Sequence, residues 1–220
     1  MTLVKICGIT NSTDALNAIT AGATYLGLIF VDSSARKVDE VAAADILQAT
    51  AGRARTVAVF KNSSLDEIER IDSIHKFDYI QLHGAESPDF CRTLQMPVIK
   101  VIELQAGSKA ADLERLIDSY KSCSYILFDK PKDLDFSEWL DEAIELVESL
   151  NVSRPYFFAG GLNHTNVRRV LNRLNPYALD VASGVEAAPG LKAMDKMIAF
   201  CDAVKDSFGT GANLVNEAIS

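Results

Sequence analysis

The sequence lacks any apolar stretch that approaches the roughly 18 residues of a membrane-spanning helix. It begins without a basic segment followed by an apolar region, so no secretory signal is predicted. Positive charge is in deficit, since 22 lysines and arginines stand against 30 aspartates and glutamates, for a net charge of −8. Such a charge repels nucleic acids and anionic membranes. We therefore expect a cytoplasmic protein that acts on small molecules, with neither nucleic acid nor membrane as a partner.

Cysteine and histidine are scarce and widely separated. The cysteines are Cys7, Cys91, Cys123 and Cys201, and the histidines are His75, His83 and His164. No C-x-x-C motif occurs, and no histidine lies at metal-ligand spacing from a cysteine. The sequence therefore predicts reduced thiols, with no disulfide scaffold and no zinc site.

Short apolar runs rich in β-branched residues alternate with longer segments of helical period along the chain. The predicted strands are 3–7, 25–30, 55–60, 78–82, 98–102, 125–128, 156–158 and 178–181. The predicted helices are 12–22 with a cap at Asn11 or Ser12, 39–50, 65–75, 87–94, 109–118, 137–149, 164–173 and 191–206. Eight such units predict an α/β protein with a single (β/α)8 TIM barrel of eight parallel strands. An open doubly wound sheet is the alternative.

No linker rich in proline, glycine or serine divides the chain. We therefore expect one barrel domain over residues 1–206. The polar segment 207–220 is predicted to be a C-terminal tail that is partly disordered.

The active site of a TIM barrel lies at the carboxyl ends of its strands. The residues that fall at or just after predicted strand ends are Cys7, Arg36, His83, Asp129, Gly160, Gly161, Asp180, Ser183 and Gly184. Lys5 shares a strand face with Cys7, so if Lys5 points into the barrel, Cys7 does so at its mouth. Taken alone, Cys7 is more typical of a buried core residue, whereas Asp129 and Asp180 are equally compatible with turn caps.

The two glycine pairs follow the seventh and eighth strands, where many barrels bind phosphate. Glycine lets the backbone approach an oxyanion closely, and a helix opening near Asn163 would direct its free N–H groups to the same place. Gly160 and Gly161 alone are also compatible with a simple tight turn. Together with Ser183 and Gly184 they predict a phosphate site.

The strand-end segments "KICGIT", "GLIF", "SSAR", "QLHG", "FAGGLN" and "LDVASGVE" followed by "PG" occur in this order. Together they resemble the phosphoribosylanthranilate isomerase family, whose members are single TIM barrels of tryptophan biosynthesis. The resemblance implies an Amadori rearrangement of N-(5'-phosphoribosyl)anthranilate to 1-(o-carboxyphenylamino)-1-deoxyribulose 5-phosphate. It also implies that the reaction needs no metal and no organic cofactor.

The resemblance assigns roles to individual residues. Cys7 matches the general base and Asp129 the general acid, while Arg36 matches the arginine that receives the anthranilate carboxylate. A cationic intermediate or the neighbouring Lys5 is expected to lower the pKa of the Cys7 thiol. Asp180 remains the alternative acid.

The segment after Asp129 departs from the family pattern. It reads "DKPKDLDFSEW" and lacks the family's G-G-T-G stretch, while Ala35 replaces the proline of the family's "SPR" motif. This loop is predicted to be too short for a full lid, with Lys130 and Lys132 as substitute phosphate contacts or plain surface. The alternative function is a barrel of the same family that binds substrate with weak or lost turnover. A metal-dependent epimerase or a Schiff-base aldolase using Lys100 is the third hypothesis, and the scattered histidines disfavour it.

Overall fold

The computed structural model describes residues 1–105, 107–130 and 136–207, except for the side chains of residues 136–138. Eight parallel strands close into a barrel in which each strand pairs with its neighbour in chain order. The first strand completes the ring by pairing with the eighth, with Leu3 opposite Ala178 and Ile6 opposite Val181. The predicted TIM barrel is confirmed, and the open doubly wound sheet is wrong.

The barrel strands lie within one residue of their predicted bounds. They are β1 (Leu3–Cys7), β2 (Tyr25–Ile29), β3 (Arg55–Phe60), β4 (Tyr79–Leu82), β5 (Val98–Glu103), β6 (Tyr125–Asp129), β7 (Tyr156–Phe158) and β8 (Ala178–Val181). The helices in the described residues are α1 (Ser12–Ala21), α2 (Glu40–Thr50), α3 (Leu65–His75), α4 (Pro88–Thr93), α5 (Ala110–Ser119), α6 (Phe136–Ser149), α7 (Val167–Leu171) and α8 (Met194–Asp206).

Side-chain caps fix where the first helices begin. The Asn11 side chain accepts a hydrogen bond from the Asp14 N–H at 2.8 Å, and Asp39 accepts one from Ala42 at 2.8 Å. Such caps satisfy N–H groups that the first helical turn leaves unpaired. Because Asn11 is the cap, the chain runs from β1 into α1 through only a short loop, and Cys7 stays at the barrel mouth.

The alternation of side chains along β1 separates two apolar layers. Val4 and Ile6 point outward and belong to the core between strands and helices. Cys7 belongs to the cluster that fills the barrel interior, together with Tyr25. The side chain of Lys5 is fully buried and bonds to Asp180 of β8. The predicted common inward face of Lys5 and Cys7 is therefore confirmed.

The segment after β7 is less helical than predicted. The expected helix over 164–173 is reduced to α7, which begins at Val167. The Asn163 side chain instead accepts hydrogen bonds from the N–H groups of Thr165 and Asn166. Such local bonds compete with helical ones, so the helix begins later and the predicted opening near Asn163 is wrong.

A small hairpin replaces the start of the last predicted helix. The strands β9 (Glu186–Ala188) and β10 (Leu191–Lys192) pair antiparallel, and α8 begins only at Met194. Glu186 and Lys192 alternate with exposed neighbours and both point inward, where they are buried. The predicted helix over 191–206 is therefore wrong in its first three residues.

No helix in the described part of the chain is long and apolar enough to cross a membrane. The last helix ends at Asp206. Residues 208–220, almost all of the predicted tail, lie outside the described residues. The division into a barrel over 1–206 and a tail over 207–220 therefore stays a prediction.

Candidate active site

A cavity of about 570 Å³ opens at the carboxyl ends of the strands. The predicted site residues that line it are Cys7, Arg36, His83, Asp129, Gly160, Gly161, Asp180 and Ser183. Lys5 lies beneath this layer with a fully buried side chain, and Gly184 packs behind the wall against Leu162. The fold thus brings together residues that lie as far apart in the chain as β1 and β8.

Cys7 ends β1 and stands opposite Gly27 of β2. A Cβ atom at position 27 would lie 2.7 Å from the Cys7 Sγ atom and 3.1 Å from the Lys5 Nζ atom. Both distances are shorter than ordinary contacts, so only glycine leaves room for the thiol and the ammonium side by side. Gly27 opens the segment "GLIF", but no pattern in the sequence assigns it to the site.

Burial raises the pKa of the Cys7 thiol above its ordinary value. The Lys5 ammonium opposes this rise, and the Asp180 carboxylate adds to it. The expectation that Lys5 favours the thiolate is thus correct in direction, but burial outweighs it. Without substrate, Cys7 keeps its proton at neutral pH.

Lys5 and Asp180 form an ion pair across the β1–β8 seam, with 3.0 Å between Nζ and Oδ1. Burial by itself would lower the pKa of Lys5, yet the carboxylate of Asp180 and the nearby Cys7 leave it raised. Lys5 is therefore a fixed cation below Cys7. Asp180 is already committed to this pair, which makes it the weaker of the two candidate acids.

Asp129 ends β6, and 21% of its side chain is exposed. Burial raises the pKa of its carboxyl group to about 7, although a 2.8 Å hydrogen bond from the Lys130 N–H opposes the rise. The negative charge of Asp180 contributes in the upward direction. The Nε2 atom of His83 lies 3.5 Å from Asp129 Oδ2. Asp129 thus combines access to the cavity with a proton that it can hold near pH 7.

Arg36 reaches the cavity from the loop after β2, and its guanidinium is already paired within the protein. Nε and Nη2 donate to the two carboxylate oxygens of Glu186 at 2.8 and 2.7 Å. The Nη1 group takes no part in this pair. Glu186 also accepts a 2.8 Å hydrogen bond from Lys192, whose side chain is fully buried.

The two glycine-bearing loops meet at one side of the cavity. Gly160 and Gly161 adopt positive φ angles of 100° and 62°, which other residue types rarely adopt. A Cβ atom on Gly184 would lie 1.9 Å from the carbonyl oxygen of Leu162. The loops after β7 and β8 are therefore in contact through Gly184. Binding of phosphate at these loops stays a prediction.

Glu186 and Lys192 are site residues that the sequence analysis missed. Glu186 ends the motif "SGVE" and Lys192 follows "PG", but both appeared as ordinary charged residues in a predicted loop and helix. Arg36, the partner of Glu186, lies 150 residues away from it in the chain. No local pattern indicates a contact over that distance.

The geometry gives no support to the metal or Schiff-base hypotheses. In the described ranges, no group of three or more histidine, cysteine, aspartate or glutamate side chains could hold a metal ion. Lys100 is buried in an ion pair with Glu86 at 2.9 Å and also donates to the carbonyl oxygens of Leu82 and Gly84. Lys100 does not line the cavity that holds Cys7 and Asp129.

Comparison with known sequences identifies similar proteins over nearly the whole barrel. The family model described as N-(5'phosphoribosyl)anthranilate (PRA) isomerase matches residues 4–203. A curated N-(5'-phosphoribosyl)anthranilate isomerase of Pseudomonas fluorescens strain SBW25 is 37% identical over 208 residues, which covers 93% of this chain and 96% of the relative. One of Acidithiobacillus ferrooxidans is 36% identical over 207 residues, which covers 93% and 98%.

Solved structures give the same result. The crystal structure of phosphoribosyl anthranilate isomerase from Thermotoga maritima has a TM-score of 0.83 and 32% identity, and covers 94% of this chain and all of that one. Another structure of such an isomerase, in complex with reduced 1-(o-carboxyphenylamino)-1-deoxyribulose 5-phosphate, has a TM-score of 0.78 and 34% identity over the same shares. The likeness thus extends over the whole barrel.

Proposed function

Because the chain belongs to the N-(5'-phosphoribosyl)anthranilate isomerase family, it is an isomerase of tryptophan biosynthesis, and we propose that Cys7 and Asp129 transfer its protons. The substrate is N-(5'-phosphoribosyl)anthranilate, and the product is 1-(o-carboxyphenylamino)-1-deoxyribulose 5-phosphate. The proposal depends mainly on one observation. A carboxyl group with a pKa of about 7 and a cysteine face the same cavity at the strand ends.

Asp129 is the general acid. With a pKa of about 7, about half of the Asp129 carboxyl groups carry a proton at pH 7. The acid gives this proton to the furanose ring oxygen, the bond between that oxygen and C1 breaks, and an iminium cation forms. A pKa near the working pH favours both holding and releasing the proton.

Cys7 is the general base. Once the iminium cation has formed, the thiol releases its own proton to water, and the resulting thiolate removes the proton from C2 of the opened sugar. The electron pair of the C–H bond then neutralises the iminium to give an enolamine. The enolamine then tautomerises to the ketone product. Burial outweighs the effect of Lys5 on the Cys7 pKa, so the positive charge of the iminium supplies the further stabilisation that the thiolate needs.

The two anionic ends of the substrate have separate sites in the proposal. The guanidinium of Arg36 receives the anthranilate carboxylate, since paired N–H donors match the two oxygens of a carboxylate. The loops that contain Gly160, Gly161, Ser183 and Gly184 receive the phosphate through backbone N–H groups. The reduced product bound to a related isomerase carries both groups, so a site of this kind has to accommodate two anions.

The alternative of a barrel with weak turnover rests on the loop after Asp129. Residues 131–135, including Lys132, lie outside the described residues, so the short lid stays a prediction. The match to the active isomerases does not favour this alternative. The cytoplasmic location also stays a prediction, and the four cysteines, which are all free thiols, are consistent with it.

The proposed function is tested with freshly prepared phosphoribosylanthranilate, whose fluorescence disappears as it is converted. Purified protein should turn it over at a typical enzymatic rate of roughly 1–10³ per second without added metal or cofactor. A protein that binds the substrate but does not convert it would support the alternative instead. Loss of activity on treatment with a metal chelator would contradict the cofactor-free mechanism.

A further inference from the structure

Glu186 and Lys192 form a buried ion pair beside the cavity. The two proposed proton transfers do not involve this pair. Both residues are nine-tenths or more buried, and the Lys192 Nζ atom lies 2.8 Å from Glu186 Oε1. Burying a pair of charges costs free energy unless further hydrogen bonds satisfy both partners. The partners of each charge therefore indicate what the pair does.

The partners of Glu186 include the predicted substrate-binding arginine. Arg36 donates from Nε to one carboxylate oxygen and from Nη2 to the other. Two parallel bonds between planar groups fix the plane of the guanidinium, not only its position. The Nη1 side of Arg36 is thereby turned away from Glu186. Since three quarters of the Arg36 side chain is buried, it has little freedom to rotate elsewhere.

The partners of Lys192 connect this pair to the catalytic strand. Nζ donates to the carbonyl oxygen of Cys7 at 2.6 Å and to that of Ala182 at 3.1 Å, in addition to Glu186. These bonds use the three N–H groups of the ammonium. Lys192 thus joins the ends of β1 and β8 to the carboxylate that orients Arg36.

The charges in this cluster suit one additional anion. Glu186 is buried, yet Arg36 and Lys192 hold the pKa of its carboxyl group below the ordinary value. Burial lowers the pKa of Lys192, and the paired carboxylate of Glu186 opposes this fall. With Lys192 charged, Arg36 and Lys192 contribute two positive charges and Glu186 one negative charge, so one positive charge remains. A single carboxylate from a ligand would neutralise it. This explains how an arginine that is already paired can still attract a carboxylate.

We infer that Glu186 and Lys192 are positioning residues that hold the Arg36 guanidinium ready for the substrate carboxylate and fix it relative to the main chain of Cys7. Glu186 affects binding of the substrate carboxylate. Lys192 affects both this binding and the proton transfer by Cys7, because it also holds the strand that carries Cys7. The inference rests on the proposed function, because it assumes that Arg36 receives the anthranilate carboxylate.

The test compares Glu186→Gln with wild type on two reduced product analogues. One is reduced 1-(o-carboxyphenylamino)-1-deoxyribulose 5-phosphate, and the other is its phenylamino counterpart without the carboxylate. We expect calorimetry to show roughly 10- to 100-fold weaker binding of the carboxylated compound, because the guanidinium of Arg36 loses the bidentate pair that fixes its plane. This loss of orientation outweighs the attraction gained when the negative charge of Glu186 is removed. Binding of the other compound should change less than about twofold. Equal losses for both compounds, or no loss for either, would overturn the inference.

Lys196→Met is the matched control. Lys196 of α8 donates to the main-chain oxygen of Glu186 at 2.8 Å, so this change removes a nearby charge and a bond to the same hairpin without touching the carboxylate. It should bind both compounds like wild type. If Glu186→Gln does not fold because Lys192 is left unpaired, the double variant Glu186→Gln/Lys192→Met removes both charges and is judged by the same ratio of affinities.

Kinetics separate the two residues. Glu186→Gln should act mainly on KM, whereas Lys192→Met should lower kcat as well as raise KM. A Lys192→Met variant with unchanged kcat would contradict its link to Cys7. If wild type itself fails to convert phosphoribosylanthranilate, the proposed function is wrong. If wild type is active and Glu186→Gln keeps the wild-type preference for the carboxylated analogue over the analogue without the carboxylate, only this inference is wrong.

Discussion

At the scale of single residues, burial acts on the acid and the base in the same direction but with different consequences. It raises the pKa of both Asp129 and Cys7. For an acid, this rise keeps a proton available near neutral pH. For a thiol, the same rise keeps the proton bound until a positive charge forms next to the sulfur. The order of the two proton transfers thus follows from the ionisation of the two residues.

Cys7→Ala and Asp129→Asn should each lower kcat by roughly 10²- to 10⁴-fold, the usual contribution of a positioned base or acid. Circular dichroism should show an intact fold for both variants. Arg36→Ala should instead act mainly on KM. If Asp129→Asn is nearly silent while Asp180→Asn is severely impaired, the acid is on β8 and not on β6.

Asp129 should also lower the free energy of unfolding of the protein at neutral and higher pH. Its pKa is about 7 in the fold against an ordinary value of 3.8, so its stabilising contribution is complete below about pH 4 and is lost as the pH rises to about 7. Above that pH the charged carboxylate is held in a site that leaves only 21% of the side chain exposed. Asp129→Asn should therefore be more stable than wild type at pH 8, by up to about 4 kcal/mol, and lose this advantage towards pH 4.

Urea unfolding of wild type and Asp129→Asn between pH 4 and pH 8 measures this difference. Asp118→Asn is a suitable control, since it removes an exposed carboxylate from α5. A stability difference for Asp129→Asn that does not grow with pH would contradict the raised pKa.

At the scale of elements, the loops after β7 and β8 can touch only because Gly184 has no Cβ atom. Gly184→Ala would place a Cβ atom 1.9 Å from the Leu162 carbonyl oxygen, so one loop must move. We expect KM for the phosphorylated substrate to rise roughly tenfold, because backbone donors to phosphate are displaced. Gly52→Asn is the control, since a Cβ there meets nothing within 4 Å and asparagine tolerates its positive φ. An unchanged KM and an unchanged inhibition constant for inorganic phosphate would exclude these loops as the phosphate site.

The elements also show what a sequence can and cannot predict. Strands such as β1 and β3 were predicted at their observed bounds, because short apolar runs with clear ends are a local signal. The β9–β10 hairpin was missed because residues 191–206 have a continuous helical pattern. The charged side chains of Glu186 and Lys192 face inward because they pair with each other, and Glu186 also pairs with Arg36, which is distant in the chain. The positions of Cys7 and Asp129 at strand ends could be predicted. The partners of Arg36 and the rise in the pKa of Cys7 could not, since both depend on residues from other strands.

At the scale of the whole molecule, every barrel strand and every described helix lies within residues 1–206. We therefore expect a variant that ends at Ser207 to keep its melting temperature within about 2 °C and its kcat/KM within about twofold of the full chain. Differential scanning calorimetry and the fluorescence assay measure the two quantities. A larger loss would mean that residues 208–220 contribute to the barrel or to its site.

The seam between β1 and β8 has a consequence for the order in which a newly made chain becomes an enzyme. The Lys5–Asp180 pair joins residues that are 175 positions apart, and the Lys192–Cys7 bond joins residues 185 apart. Ribosomes add roughly 5–20 residues per second, so about 9 to 35 seconds separate the synthesis of Lys5 from that of Asp180. Throughout that interval one edge of β1 has no partner strand and the base has no cation fixed below it. Catalytic competence is therefore acquired only when nearly the whole polypeptide has been made, as the last event of assembly.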